Sequence, residues 1–521
     1  MVTPHGIQLA AYLISSSYGD LCSKVCECLL RRGTLTLAHV IRYTELTREN
    51  VINCLRVLIH QNCVQAFAIQ QEGAYGVAPR IVTQYMPLFD NIIHKLRAPK
   101  FMQIVSEELG NDCLEIFQAL IQHGRLSINQ IIDRNKQTAD SSNVDVVRES
   151  FNKLLNSRFV ERCPAPEPFL PPPSEDEPTT KKRGAKSKIA EVPKTTEQLA
   201  LSAAAPMESM RFLMEMDDHS EERIEESSNS TTPGVKRKRD DLTSEEDMLD
   251  VNEKKEVLWR VNFEEFVRRL RHKACISYVK SRINDEAGIV LSAVLELNKF
   301  SETRQKAENS GYLSINAIYD EVIKKDGGLG MDFERVRLSL EQLGCQTIEN
   351  GIDESYSIDL KGIIEMAQNE EVESVIMKRY GREAYRIFRL LSKTGRVLET
   401  DKISDTAFVE KNDTLKILFK LWKDNYLHME KVGVGKLTFL MWRINKEPLS
   451  VHVLDEMYHA VLNLRLRITH EQDQGKEILS FPREKLVGEL GKKYKLLGKV
   501  RVILESSLMN LDEAIMLFHD F

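Results

Sequence analysis

Apolar residues along this chain recur at helical spacing, and the same order of elements returns four times. Residues 113–132, CLEIFQALIQHGRLSINQII, predict an amphipathic helix, a glycine stop, one short strand and a second helix. Similar stretches end at Ile41, Val322 and Ile403. Because glycine takes the left-handed backbone that ends many helices, the first helix of each unit is expected to end at one of four marker glycines: Gly33, Gly124, Gly311 and Gly395.

A third helix and a hairpin complete each unit. In the first unit the third helix carries apolar residues at i, i+4, i+7 and i+8, which is typical of one buried face: Val51, Leu55, Leu58 and Ile59. The following NCVQAFAIQQEGAYGVAPR predicts two strands around a glycine-containing turn. Helix, strand, helix, helix, hairpin is the order of a winged helix. The fourth unit departs from it, because Glu399 stands where the others have an apolar residue, namely Leu37, Ile128 and Ile315.

The segment 164–255 separates the second unit from the third. It holds ten of the 16 prolines, many Ser, Glu and Lys residues and few aromatics. Such a composition buries too little apolar surface to offset the entropy of ordering, so we expect a disordered linker. Its middle part, LSAAAPMESMRFLMEMDD, keeps apolar residues and is expected to fold on a partner.

After Pro448 the apolar spacing changes to alternating steps of three and four residues. This spacing predicts two long helices in an antiparallel coiled-coil hairpin. The fold is therefore expected to be mainly α with small β wings: four tandem, extended winged helices and a C-terminal coiled-coil hairpin. The expected boundaries are 1–88, 89–163, 256–362 and 363–447 for the winged helices, 164–255 for the linker and 448–521 for the hairpin.

Composition and charge narrow the function. Lys and Arg number 72 against 78 Asp and Glu, so the chain, with a net charge of −6, is no general polycation, although local basic faces remain available. Its nine cysteines include no CxxC pair and its histidines lack ligand spacing, so no metal site is expected. The scattered thiols suggest a reducing compartment. Neither a signal peptide nor an apolar run of ~18 residues is expected to direct the chain to a membrane.

Catalytic motifs are absent from the sequence. It contains no GxGxxG, no HExxH and no nucleophile elbow. The run GVGKLT at Gly433 resembles part of a phosphate-binding loop, but the glycine required five residues before Gly435 is Glu430. It also lies where a wing turn is expected. We therefore expect neither an enzyme nor a bound cofactor.

Basic residues on helices are the candidate DNA contacts. Phosphate neutralisation needs such faces, although a solvated helix face gives the same pattern. In the first unit the outer face of the third helix, which enters the major groove in helix-turn-helix relatives, carries Arg48, Asn53 and Arg56. Two further clusters include Arg268, Arg269, Arg271 and Lys273, and Lys378, Arg379, Arg382, Arg386 and Arg389. A third, GKKYKLLGKVR, lies near the C-terminus. Reversing the charges of the three arginines at 268, 269 and 271 is expected to leave the fold intact.

A short basic run in the linker predicts nuclear import. It consists of Lys236, Arg237, Lys238 and Arg239 and follows TPGV. The nearby KKRGAKSK has the same character. We therefore expect a nuclear protein.

The composite resembles one family, the winged-helix third subunit of RNA polymerase III, which is the large member of the peripheral heterotrimer. Both folded halves carry the resemblance, for example in YGDLCSKVCECLLRRGTLTLAHVI, LWRVNFEEFVRRLRHKACISYVKSR, YGREAYRIFRLLSKTGRVLETDKI and FLMWRIN. It implies four extended winged helices and a coiled coil, related to the alpha subunit of the general transcription factor E. The hairpin is short for that family.

The resemblance also implies a function. A subunit of this kind has no active site of its own, contacts DNA and helps to open promoters of transfer RNA, 5S and other small RNA genes. The implied partners are the other heterotrimer subunits, the polymerase core and clamp, the initiation factor and DNA, within a hetero-oligomer and without a membrane.

Two alternatives stay open. A free-standing transcription regulator would use the first unit, and Arg56 in particular, to read a base sequence. A winged-helix protein scaffold would bind other proteins and no nucleic acid. Four units with a net negative charge favour non-specific contact and scaffolding over sequence reading.

Overall fold

The computed structural model describes residues 2–71, 80–138, 144–170, 195–214, 256–299, 306–350, 353–434, 437–480 and 488–521. These residues form two compact bodies. The larger body contains residues 1–58, 85–97 and 263–521, and the smaller body contains 59–84 and 98–262. Both ends of the chain thus belong to the larger body, which the linear array of repeats expected from the sequence did not predict.

Both bodies are mainly helical. In chain order the helices are α1 (Pro4–Tyr18), α2 (Asp20–Arg32), α3 (Leu37–Thr44), α4 (Arg48–His60), α5 (Phe89–His94), α6 (Ala98–Leu109), α7 (Asn111–His123), α8 (Ile128–Thr138), α9 (Val144–Asn156), α10 (Thr196–Ala204), α11 (Glu208–Arg211), α12 (Phe263–Arg282), α13 (Asp285–Leu297), α14 (Ile315–Ile323), α15 (Phe333–Gln342), α16 (Leu360–Tyr380), α17 (Arg382–Thr394), α18 (Thr400–Ala407), α19 (Lys411–Lys423), α20 (Lys446–Leu479) and α21 (Glu489–His519). A short 3₁₀ turn, Lys95–Arg97, follows α5.

The strands are short and form small sheets, as the sequence predicts. They are β1 (Leu35–Thr36), β2 (Val64–Gln71), β3 (Arg80–Pro87), β4 (Leu126–Ser127), β5 (Val160–Arg162), β6 (Phe169–Leu170), β7 (Leu258–Val261), β8 (Leu313–Ser314), β9 (Gln346–Asn350), β10 (Asp353–Ser357), β11 (Leu398–Glu399), β12 (His428–Val434) and β13 (Leu437–Arg443).

Two three-stranded sheets of the larger body have the same order. They are β8-β10-β9 and β11-β13-β12, and in each the short strand pairs with the second strand of the hairpin. The antiparallel registers place Leu313 opposite Tyr356 and Leu398 opposite Trp442. In both cases two helices separate the short strand from the hairpin, which is the order predicted for the third and fourth units.

In the smaller body, the β4-β7-β5 sheet is completed by a strand from beyond the linker. β7 pairs antiparallel with both β4 and β5, with Trp259 opposite Arg162 and Leu126. Trp259 is buried and meets Phe151 edge to face at a ring distance of 5.3 Å. The predicted boundary at 256 is therefore wrong for β7, because this strand pairs with both β4 and β5. The whole linker, 164–255, lies between β5 and β7 in the chain.

The prediction of disorder is also wrong for residues 195–213. Thr195 and Gln198 form a reciprocal capping box at the start of α10. The small side chains of Ala200 and Ala204 are buried, and the backbone carbonyl of Ala204 accepts a hydrogen bond from the N–H of Ala165. This part of the segment thus folds on its own chain.

A buried carboxylate fixes the same segment. Glu161 on β5 accepts hydrogen bonds from Arg260 at 2.8 Å and from Arg211 on α11 at 2.6 Å. Because an ionised carboxylate is costly to bury without partners, the two arginines explain how Glu161 is tolerated at 3 % exposure.

The marker glycine Gly124 is required by its surroundings. Its φ of +81° lies in the region that L side chains avoid, and a Cβ there would lie 2.4 Å from the carbonyl oxygen of His60. Glu399 corrects the predicted alignment of the fourth unit. It occupies the position before the second helix, which Thr36 and Ser314 hold in other units. Thr400 is therefore the residue that corresponds to Leu37.

The last two helices contact each other over much of their length, and α1 packs on α20. Of the apolar positions that predict α20, Met457, Val461 and Ile468 are buried, whereas Leu454 and Leu464 are half-buried. His5 on α1 donates to Asp455 through its backbone N–H at 2.8 Å. The N-terminal helix thus covers one side of α20.

A cluster of buried charges anchors the end of α21 in the larger body. Arg97 is fully buried and pairs with Asp512 at 3.0 Å and with Asp520. His94 contacts Asp520 at 3.1 Å. Burial raises the pKa of Asp520, but the charge of Arg97 and hydrogen bonds from His519 and His94 outweigh it and hold that pKa far below its ordinary value.

Candidate nucleic-acid interface

The clearest basic surface of the described residues lies on α17. Its positions i, i+4, i+7 and i+11 are all exposed and basic, and we call them the α17 stripe: Arg382, Arg386, Arg389 and Lys393. The opposite face is buried at Ala384, Ile387, Phe388 and Leu391. Helical spacing thus separates the core side from the basic side along the whole helix.

The α17 stripe has the dimensions and charge of a phosphate-binding surface. Eleven residues of helix span about 16 Å, a length over which duplex DNA presents several phosphates. Arg382, Arg386 and Lys393 make no ion pair with a described residue. Arg389 donates to the hydroxyl of Tyr385 and lies 5.7 Å from its ring centre. These side chains therefore carry uncompensated positive charge.

The end of α16 contributes less to this surface than the sequence suggests. Lys378 is exposed, but Arg379 donates to the carboxylate of Glu456 at 2.7 Å and to the hydroxyl of Tyr426 at 3.1 Å. The hydrogen bond to Glu456 is the main reason why the pKa of Arg379 is raised. Arg379 thus ties α16 to α20, whereas Lys378 and Arg382 stay available to a ligand.

The first-unit candidates lie where the sequence expects them. Arg48, Asn53 and Arg56 are exposed on α4, whereas Val51 and Leu55 are buried. Neither arginine forms an ion pair within the described part of the chain. Contact of this face with DNA stays a prediction.

The arginines of α12 contradict the prediction of a solvated basic face. Arg268 and Arg271 are only 5 % and 2 % exposed. The buried carboxylate of Glu265 lies 2.5 Å from Arg268 and 2.8 Å from Arg269. A guanidinium in this position is neutralised inside the protein and cannot reach a phosphate.

Backbone carbonyls complete the burial of these arginines. Arg268 donates to the carbonyl of Lys299 and Arg271 to that of Ala307, both beyond α13. Reversing these charges is therefore expected to disrupt the fold, contrary to the expectation from sequence. Lys273 alone of the four α12 candidates is exposed. Sequence spacing could not separate the two cases, because the carbonyls that accept from Arg268 and Arg271 lie beyond α13.

Other predicted features have simpler outcomes. The import signal at 236–239 lies outside the described residues, as does the tip of the GVGKLT turn. Within the described ranges no group of three His, Cys, Asp or Glu side chains could hold a metal ion. No described helix is long and apolar enough to cross a membrane. All nine cysteines are free thiols, most of them buried.

Comparison with known proteins gives consistent matches. Residues 149–389 match the family model of RNA polymerase III subunit RPC82, residues 8–68 match the helix-turn-helix domain of the same subunit, and residues 372–436 match the C-terminal winged-helix domain of POLR3C. The last range includes the whole α17 stripe.

Curated relatives agree with the family models. The chain is 22 % identical over 500 residues to DNA-directed RNA polymerase III subunit RPC3 of Danio rerio, covering 92 % of this chain and 86 % of the relative. It is 21 % identical to subunit rpc3 of Dictyostelium discoideum, covering 99 % of each chain. A 128-residue region is 31 % identical to rpc3 of Botryotinia fuckeliana and covers 25 % of this chain and 18 % of the relative.

Proposed function

The chain belongs to the RPC82 family of RNA polymerase III subunits, and we propose that within this enzyme it contacts DNA and assists promoter opening. It is an accessory subunit of the polymerase, and the catalytic chemistry lies in other subunits. The proposal extends to initiation at transfer RNA, 5S and other small RNA genes.

The observation that carries the DNA contact is the α17 stripe. Four exposed cations on one line, none of them with a carboxylate partner among the described residues, supply a sequence-independent electrostatic contact. Lys378 lies three residues before the intervening Gly381 and extends the basic surface. A contact of this kind fits a subunit that holds DNA near a polymerase without reading its sequence.

We infer that the repeated units are four winged helices and that α20 and α21 form a coiled-coil hairpin. The matching element orders of the third and fourth units support the first inference. The buried apolar stripe of α20 supports the second.

The proposed partners are the other subunits of the heterotrimer, the polymerase core and clamp, and the initiation factor. Membership of RNA polymerase III implies the nuclear transcription machinery, and we propose that residues 236–239 direct import. The exposed Arg48, Asn53 and Arg56 favour a second candidate function, base reading by the first unit. That function requires a sequence preference at physiological salt.

The DNA contact is tested by the salt dependence of binding by the full chain. If the four stripe residues each neutralise one phosphate, the slope of log K against log salt is roughly −3.6. The double variant Arg386→Ala, Arg389→Ala is expected to reduce it by roughly 1.8, since each lost contact removes about 0.9. The control Lys24→Ala, Lys324→Ala removes two exposed lysines elsewhere and should leave the slope unchanged.

Equal slopes for both double variants would overturn the DNA contact at α17. Binding without any salt dependence would favour the protein scaffold instead. Family membership is tested separately, by purifying RNA polymerase III through another subunit and asking whether this chain is present in stoichiometric amount.

A further inference from the structure

The groove between α20 and α21 is incompletely covered by the described chain. On the α21 side it is followed by residues 495, 498, 502, 505 and 509, whose steps of three and four residues keep one face of the helix. We call this line the groove stripe. Its apolar members Val502 and Met509 are 64 % and 45 % exposed. Two apolar side chains this exposed on one face, with Gly498 before them and the charged Lys495 and Glu505 on the same line, leave room for a further amphipathic helix.

A cavity lies in the groove, and a glycine from each helix lines it. Its volume is about 230 Å³, and its lining includes Ile468 and Gly475 on α20 and Leu497, Gly498 and Leu504 on α21. A Cβ built on Gly498 would meet no atom within 4 Å. Since roughly 150 Å³ of apolar space accommodates a benzene ring, the cavity can hold an aromatic or branched side chain from outside.

The lysines on and beside the groove stripe carry uncompensated positive charge. Lys492, Lys495 and Lys499 follow one another at i, i+3 and i+7, are exposed, and form no ion pair with a described residue. The acidic side chains facing the groove are already paired within their own helices. Glu471 pairs with Arg467 at 2.5 Å, and Glu505 pairs with Arg501 at 2.7 Å. An occupant of the groove therefore gains most from negative charge facing α21.

We propose that this groove binds an acidic amphipathic helix from a partner protein, which completes a three-helix bundle with α20 and α21. Its apolar face covers Val502 and Met509, one bulky side chain fills the cavity at Gly498, and carboxylates along one edge neutralise the three lysines. The groove stripe spans about 21 Å, so about four turns of the partner helix suffice.

Other occupants fit these observations less well. Nucleic acid would neutralise the lysines, but phosphates gain nothing from Val502 or from Ile468, Leu497 and Leu504 in the cavity. A second copy of this helix pair would bring the same lysines face to face, which is unfavourable. A membrane surface attracts basic amphipathic helices, yet a flat surface would not fill a cavity between two helices.

The test uses the full chain and two designed 21-residue helical peptides. Both have three heptads with leucine at the a and d positions. The acidic peptide has glutamate at e and g, and the basic peptide has lysine there. Fluorescence anisotropy is expected to show that the acidic peptide binds at least about tenfold more tightly than the basic one.

Two variants identify the site. Gly498→Leu fills the cavity at a helical position with open space and should weaken binding of the acidic peptide at least about tenfold. Lys492→Glu, Lys495→Glu, Lys499→Glu should reverse the preference between the peptides.

A matched pair supplies the control. Val502→Ala should weaken binding, whereas Ile503→Ala should not, because Ile503 is 63 % exposed but is rotated by about 100° around the helix away from the groove.

The contrary outcomes are distinct. Equal binding of both peptides, or equal effects of Val502→Ala and Ile503→Ala, would refute the acidic helix. A dimer of the free chain that dissociates in Gly498→Leu would assign the groove to a second copy. Competition of the acidic peptide by duplex DNA or by anionic vesicles, with loss of that competition in Gly498→Leu, would assign it to those ligands. None of these results depends on the polymerase function.

Discussion

His519, the last residue of α21, should make the packing of that helix end depend on pH. Its ring donates to Asp520 at 3.0 Å and lies 3.1 Å from Asp90. Burial lowers the pKa of His519, but hydrogen bonds to the two carboxylates raise it to about 9 overall. An unperturbed histidine has a pKa of about 6.5, so the folded state binds this proton more strongly than the unfolded state.

The sign and size of the effect follow from linkage. A histidine whose folded pKa is raised contributes its full stabilisation below about pH 6.5 and loses it as the pH rises to about 9. The difference of about 2.5 pKa units corresponds to about 3 kcal/mol. Asp520, with its lowered pKa, loses its contribution only on acidification. His94, whose pKa is lowered chiefly by burial, likewise loses its contribution as the pH falls below about 6.5.

Between pH 6.5 and 9, His519 therefore dominates the titration of this cluster. His519→Asn keeps a hydrogen-bonding side chain but cannot carry the charge. Native-state hydrogen exchange of the last turns of α21, corrected for intrinsic exchange rates, is expected to report a loss of protection from pH 6.5 to 9 in the wild type and a much smaller one in the variant. His470→Asn changes an exposed histidine of α20 and is the control. Equal losses in wild type and His519→Asn would refute the reasoning.

Three further substitutions test the fold. Glu265→Ala leaves the buried Arg268 without its carboxylate, and thermal unfolding should register a destabilisation of about 3–5 kcal/mol, which Glu264→Ala on the exposed side of α12 should not reproduce. Trp259→Ala removes a buried ring and should cost about 3–5 kcal/mol; protease susceptibility of 98–262 should rise, and an unchanged digest would contradict the role of β7. Gly124→Ala meets both a clash and a positive φ, so urea denaturation should reveal a loss above 1 kcal/mol, whereas Gly330→Ala, with open space around it, should change little.

Local patterns determined much of the fold in advance. Gly33, Gly124 and Gly395 end helices as predicted, whereas the prediction for Gly311 is wrong because α13 already ends at Leu297. The period of Val51, Leu55 and Leu58 correctly identifies the buried face of α4. The α17 stripe has the same origin, because basic and apolar residues alternate with helical period within one segment. These features need no information from elsewhere in the chain.

Long-range pairing could not be predicted in this way. LWRV at β7 resembles the start of a new domain, and only its register with β5 reveals that it completes an earlier sheet. The α12 arginines have the spacing of a solvated face, yet the distant carbonyls of Lys299 and Ala307 accept from Arg268 and Arg271 and keep them buried. In both cases the deciding partner lies in a part of the chain that local periodicity does not reach.

The insertion of the long segment between β5 and β7 has a consequence for how the chain could be divided. The two ends of the insertion leave from neighbouring strands joined by backbone hydrogen bonds, including the one from Cys163 N–H to the Leu258 carbonyl at 2.9 Å. Cleavage between residues 214 and 256 would therefore sever the polypeptide without separating its fragments. Co-expressed pieces 1–214 and 256–521 are expected to reassemble through this sheet, as a split protein does.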